Sequence, residues 1–149
     1  MIDIDEILAG ARLPERTVRI CLRGDLQAEL ERVEAEEQDM APSLAGSAAP
    51  RIRAAMADAT ITITLRALPR REWTQLVAQY PPRRDVAGDQ TLGVDEQEFF
   101  PPLLRRSVVD PQLTSEQWDH LEQALTSRQW DHLVTAAWRL NRGDIVPLP

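Results

Sequence analysis

The chain has 149 residues, 43% of them hydrophobic and 28% charged, and its seventeen Lys and Arg against twenty-four Asp and Glu give a formal net charge of -7. That length fits one domain with an appendage and allows a core of useful size. The acidic balance excludes nucleic acid as a main partner, because phosphate binding needs a basic surface.

Cys21 is the one cysteine, which excludes an internal disulfide and a Cys-based metal cluster and fits a reducing compartment. Met1-Ile2-Asp3-Ile4-Asp5-Glu6 carries acids where a signal peptide carries lysine and arginine, so no leader is expected there. No apolar run approaches the ~18 residues of a membrane span. A soluble protein that stays where it is made is expected.

Ile4, Ile7, Leu8 and Ala11 stand at helical spacing and predict a short helix that Leu13-Pro14 ends. Thr17 to Leu22 alternates and is rich in β-branched residues, which predicts a strand. Gly24-Asp25 breaks it, and Asp25 can cap the helix that follows. From Asp25 to about Met40 the apolar residues are Leu26, Leu30, Val33 and Met40, a narrow seam like that of a coiled coil. Glu29, Glu31, Glu34, Glu36, Glu37 and Asp39 surround it, so the helix needs a partner helix. A turn or linker is expected over 42–50. Ile52, Ala55, Met56 and Ala59 then give the second arm of a helical hairpin.

Thr60 to Leu65 alternates threonine with Ile61, Ile63 and Leu65, the clearest strand in the chain. The two strands are expected to pair, with the hairpin inserted between them. A two-stranded ribbon is weak unless something packs on its apolar face, and the helices that follow can do so. Pro69 opens a helix with Trp73, Leu76, Val77 and Tyr80 on one side, and Pro81-Pro82 ends it. Arg83 to Val94 reads as a polar loop. Asp95 and Glu98 make a capping pattern before a helix carrying Leu103, Leu104, Val108 and Val109, which Asp110-Pro111 stops.

Thr114 to Leu121 is nearly repeated as Thr126 to Leu133, each copy opening on a Thr-x-x-Gln capping box. Asn141-Arg142-Gly143 is a helix stop. The expected fold is α+β and mainly α. A two-stranded antiparallel ribbon with its helical arm at about 25–59 occupies 1–68, a C-terminal helical domain occupies 69–142, and 143–149 is a tail.

Candidate chemistry is sparse. Asp119, His120, Asp131 and His132 could suggest a metal, but the histidines sit on two different capped helices and not at the i, i+4 spacing of a zinc helix. Trp118 with Leu121, and Trp130 with Leu133, read as core anchors. Asp119 and Asp131 fall in first turns, where acids suit the helix dipole. Cys21 lies mid-strand and reads as a small core residue. No glycine-rich phosphate loop is present. No catalytic residue, metal or cofactor is therefore expected, and the chain reads as a binding protein. Its candidate contact residues are the seam, Leu26, Leu30, Val33 and Met40, and Trp138. That tryptophan sits partly off the face formed by Trp130, Leu133, Val134, Ala137 and Leu140.

The order of several motifs is similar to the tail assembly chaperones of actinobacterial siphophages and prophages. A strand ends in Leu65-Arg66-Ala67-Leu68-Pro69 and leads to Trp73-x-x-Leu76 and Tyr80-Pro81-Pro82. A variable loop leads to Glu98-Phe99-Phe100-Pro101-Pro102-Leu103-Leu104, followed by a Trp-containing helix and a last helix ending at Asn141. The opening, Leu13 to Arg16 and Cys21 to Leu26, also resembles members of this family. Tyr80 stands where the family is expected to carry His, and Phe99 where it is expected to carry Thr.

The resemblance implies a non-enzymatic role in the host cytoplasm and absence from the mature virion. The implied client is the tape measure protein, kept soluble while the tail tube polymerises. The tail tube protein, a frameshift-extended form of the chain and further copies of itself are implied as additional partners. Two other readings are a structural tail component, such as a completion or connector protein, and a small enzyme using Cys21 or the histidine pair.

Overall fold

The computed structural model describes residues 1–39 and 48–143. The chain divides into two compact units: Met1–Val18 with Ile63–Pro149, and Arg19–Thr62. The described residues are mainly helical, with a small three-stranded antiparallel sheet of order β1-β2-β3. The strands are β1 (Glu15–Cys21), β2 (Thr60–Arg66) and β3 (Val108–Asp110). Antiparallel pairing of β1 with β2 shows at both ends, where Leu22 N–H donates to Ala59 O and Ala67 N–H to Pro14 O, each at 3.0 Å.

The second unit carries an arm of two helices, α2 (Gly24–Asp39) and α3 (Ala49–Asp58), packed on each other. Glu34 of α2 pairs with Arg53 of α3. Ala49 and Ile52 are the buried residues of α3. That helix begins inside the stretch expected to be linker, with Pro50 in its first turn, where the missing N–H is least costly. Met40 and most of the expected linker lie outside the described residues.

The first unit contains α1 (Ile4–Ala9), α4 (Arg70–Gln79), α5 (Ala87–Leu92), α6 (Glu96–Ser107), α7 (Ser115–Ala124) and α8 (Ser127–Arg142). Helix α6 is its centre and packs against α4, α5, β3 and α8. Asp95 caps α6 by accepting from the N–H groups of Gln97 and Glu98 at 3.0 and 3.2 Å. Pro101 and Pro102 lie inside that helix. Interior prolines each cost about 3 kcal/mol. Burial of Phe99, Phe100, Leu103 and Leu104 contributes roughly 1.5–3 kcal/mol per side chain, so packing outweighs the two prolines.

Helices α7 and α8 both open on complete capping boxes. Thr114 Oγ1 accepts from Gln117 N–H at 3.1 Å while Gln117 Oε1 accepts from Thr114 N–H at 2.9 Å. Thr126 and Gln129 repeat the exchange at 3.1 and 3.0 Å.

Two expectations need correction. The ribbon has a third strand, because Val108 and Val109 leave the helix and pair with β2 instead of extending α6. Thr64 faces Asp110 and Leu65 faces Val108, so Val109 is an extra residue and the pair is bulged. The stretch 83–94 is also not all loop, since it contains α5, which ends on Gly93 at φ 83°. Only glycine takes that left-handed turn at no steric cost.

Candidate partner-binding surfaces

Three residues of the expected seam, Leu26, Leu30 and Val33, lie on α2 and are only partly covered. Helix α2 has no fully buried residue. A hairpin of two helices lets each bury one stripe, and with none of α2 fully shielded the stripe keeps an open edge. Glu29, Glu31, Glu36 and Asp39 lie exposed around it, which gives an apolar strip with an acidic margin. At the start of α2, Arg23 grips Asp25 through Nε and Nη2 at 2.9 and 2.8 Å. That hydrogen bonding lowers the Asp25 carboxyl to about 2. Both side chains are well exposed, so the pair adds little stability.

Trp138 is half-buried on α8 and belongs to an aromatic cluster within the first unit. Its ring lies 5.6 Å from Trp73, 5.9 Å from Phe100 and 6.2 Å from Phe99, all edge-on. Trp73 and Tyr80 also stand edge-on to Phe99, at 5.5 and 6.4 Å. Part of the Trp138 ring is therefore committed inside the molecule and part faces solvent. The structure places it in the first unit and the seam in the second.

Asp89 is wholly buried, which charged groups avoid unless paired. Its carboxylate accepts from Arg83 Nε at 2.7 Å, Arg83 Nη2 at 3.1 Å and the N–H groups of Arg83 and Glu96 at 3.0 and 3.2 Å. The Arg83 guanidinium, the first cause, holds the carboxyl far below the usual carboxylate range, and burial opposes it. A carboxylate so fully satisfied is a clasp for the 83–96 segment and a poor proton donor.

His120 and His132 are both exposed, and Asp119 accepts from Arg105 Nη2 at 3.0 Å. Among the described residues no group of three or more His, Cys, Asp or Glu could hold a metal ion. Cys21 is half-buried, with Sγ 3.8 Å from the carbonyl oxygens of Arg23 and Met56. A shallow groove of about 330 Å³ runs over Pro101, Leu125 and Trp130, bordered by Glu122 and Asp131. No described helix is long and apolar enough to cross a membrane.

One surface escaped the sequence reading. Ile4, Ile7 and Leu8 of α1 are 59%, 60% and 63% exposed, and the helix has no buried residue. Their spacing identified a helix with an apolar face; spacing carries no information on whether anything in the chain covers that face. The available signal was the density of aspartate and glutamate around so few apolar residues. The sequence matches no protein-family profile, no curated protein and no solved structure.

Proposed function

We propose that this protein is a tail assembly chaperone of a long-tailed phage or prophage. It binds the tape measure protein in the host cytoplasm, keeps it soluble while tail tube subunits polymerise, and departs before the virion is complete. The motif order from Leu65-Arg66-Ala67-Leu68-Pro69 through Glu98-Phe99-Phe100-Pro101-Pro102 to Asn141 supports the reading.

The observation that carries it is the arm. Leu26, Leu30 and Val33 form a helical seam left only partly covered beside exposed glutamates. Such a strip suits packing against one face of a long helical client. A contact that leaves each residue partly solvated is weak, and weak contacts repeated along a client can be displaced one at a time by a growing tube. The acidic margin keeps the unloaded protein soluble and discourages nonspecific binding to nucleic acid.

Co-expression with the neighbouring tape measure gene tests the proposal. The soluble fraction of the tape measure protein should rise severalfold with this chain present and fall back with Leu30→Glu. Equal solubility with and without the chain would sink the proposal. Detecting the chain in purified virions would favour a structural tail component instead.

A further inference from the structure

We infer that α1 is a second docking element, which inserts into an apolar seam of another protein whose border is lysine- or arginine-rich. The inference concerns a different surface from the arm and stands whether or not the client is a tape measure protein.

Ile4, Ile7 and Leu8 follow i, i+3, i+4 spacing and so share one face of the helix. That face is open, as are Ile2 before it and Leu13 after it, at 74% and 40% exposure. Large apolar side chains crowded into so short a segment are not the scattered exposure ordinary on a soluble surface. The helix is nevertheless well formed. Asp3 Oδ1 accepts from Glu6 N–H at 3.3 Å at its start, and Arg12 Nη1 donates to the carbonyl oxygens of Ala9 and Ala11 at 3.2 and 2.7 Å at its end. The segment is therefore built as a helix with its apolar face outward.

Charge selects the partner. Asp5 follows Ile4 by about 100° around the helix, which sets it beside Leu8 on the border of the stripe. Asp3 stands at the start of the stripe, whereas Glu6, about 200° round from Ile4, falls on the far side of the helix. A seam edged with glutamate or aspartate would meet Asp3 and Asp5 at close range, whereas lysine or arginine would pair with them. The same argument disfavours a second copy of this acidic chain. Geometry agrees, since six residues make a helix only ~9 Å long. Two such helices face to face fall well short of the ~800 Å² per partner of a standard interface. A seam deeper than a flat helix face can enclose the Ile4, Ile7 and Leu8 side chains from both sides, which a second copy of α1 cannot.

The test uses the full chain and two synthetic amphipathic helical peptides with the same leucine seam, one bordered by lysine and one by glutamate. The protein variant is Ile4→Ser/Ile7→Ser/Leu8→Ser, which keeps every charge and removes only side chains that are already exposed. Fluorescence anisotropy should show the lysine peptide binding the native chain at least tenfold more tightly than the glutamate peptide. The triple variant, folded by circular dichroism, should lose at least tenfold in affinity for the lysine peptide. Equal binding of the lysine peptide by native and variant chains would mean that net charge alone attracts it, and would overturn the inference. It is also overturned if the native chain sediments as a dimer that the triple variant abolishes, or if α1 binds zwitterionic lipid vesicles in preference to the peptide.

Discussion

In the helical unit Phe99, Leu103 and Leu133 are at most 1% exposed, and three further aromatic rings, Trp73, Tyr80 and Phe100, pack around Phe99 and Trp138. In the arm, α2 has no fully buried residue, and its seam residues Leu26, Leu30 and Val33 are all only partly covered. Both regions use leucine at helical spacing. The difference lies in how many neighbours close over each stripe. Helix α6 is covered from several directions, by α4, α5, β3 and α8, while among the described residues the main packing partner of α2 is α3. One region closes its apolar stripe completely, and the other leaves its stripe partly uncovered.

The comparison breaks if the two regions respond alike to truncation. Phe99→Ala should have the largest effect, about 3–5 kcal/mol in urea unfolding, because it empties the centre of the aromatic cluster. Asp89→Asn comes next. It leaves Arg83 without its buried partner and should lower the melting temperature by roughly 10 °C at neutral pH.

The Asp89 effect has a defined pH dependence. The folded carboxyl sits below its unfolded value, so its contribution is complete above the unfolded pKa of about 3.9 and declines as pH falls further. Native and Asp89→Asn proteins should therefore differ most near pH 7 and converge below about pH 4, read by thermal melts across that range. A constant gap down to pH 2 would show that the clasp acts through shape and not through charge.

Thr114→Ala and Thr126→Ala should each cost about 1 kcal/mol, since each removes one half of a capping box. The smallest effect belongs to the arm. Leu30→Ser should move the urea midpoint of the helical unit by less than about 0.5 kcal/mol in equivalent terms. Backbone amides of α2 should also exchange with solvent faster than those of α6. Slower exchange in α2 would reverse the contrast between the regions.

Much of the architecture was legible because its signals are local. Threonine alternating with Ile61, Ile63 and Leu65 marks β2, and the boxes at Thr114 and Thr126 mark the starts of α7 and α8 within four residues. Strand β3 was hidden because Val108 to Asp110 is too short to show alternation and forms only by pairing with β2. Helix α5 was hidden because Gly88 and Asp89 are poor helix formers, and the clasp from Arg83 holds the segment together. The seam on α2 could be read from spacing, but its partial cover could not, since coverage depends on distant partners. The openness of α1 was illegible for the same reason. The aromatic neighbours of Trp138 come from α4 and α6, which no spacing within α8 could reveal.

The hydrogen bond from Leu22 N–H to Ala59 O brings the entrance and the exit of the arm side by side. A segment whose ends meet on adjacent antiparallel strands is an interchangeable cartridge. Everything between those two residues could be shortened, lengthened or replaced by a two-residue Asn-Gly turn, with β1 and β2 still in register. Reach then becomes a property that evolution or design can adjust separately from the folding of the remaining chain.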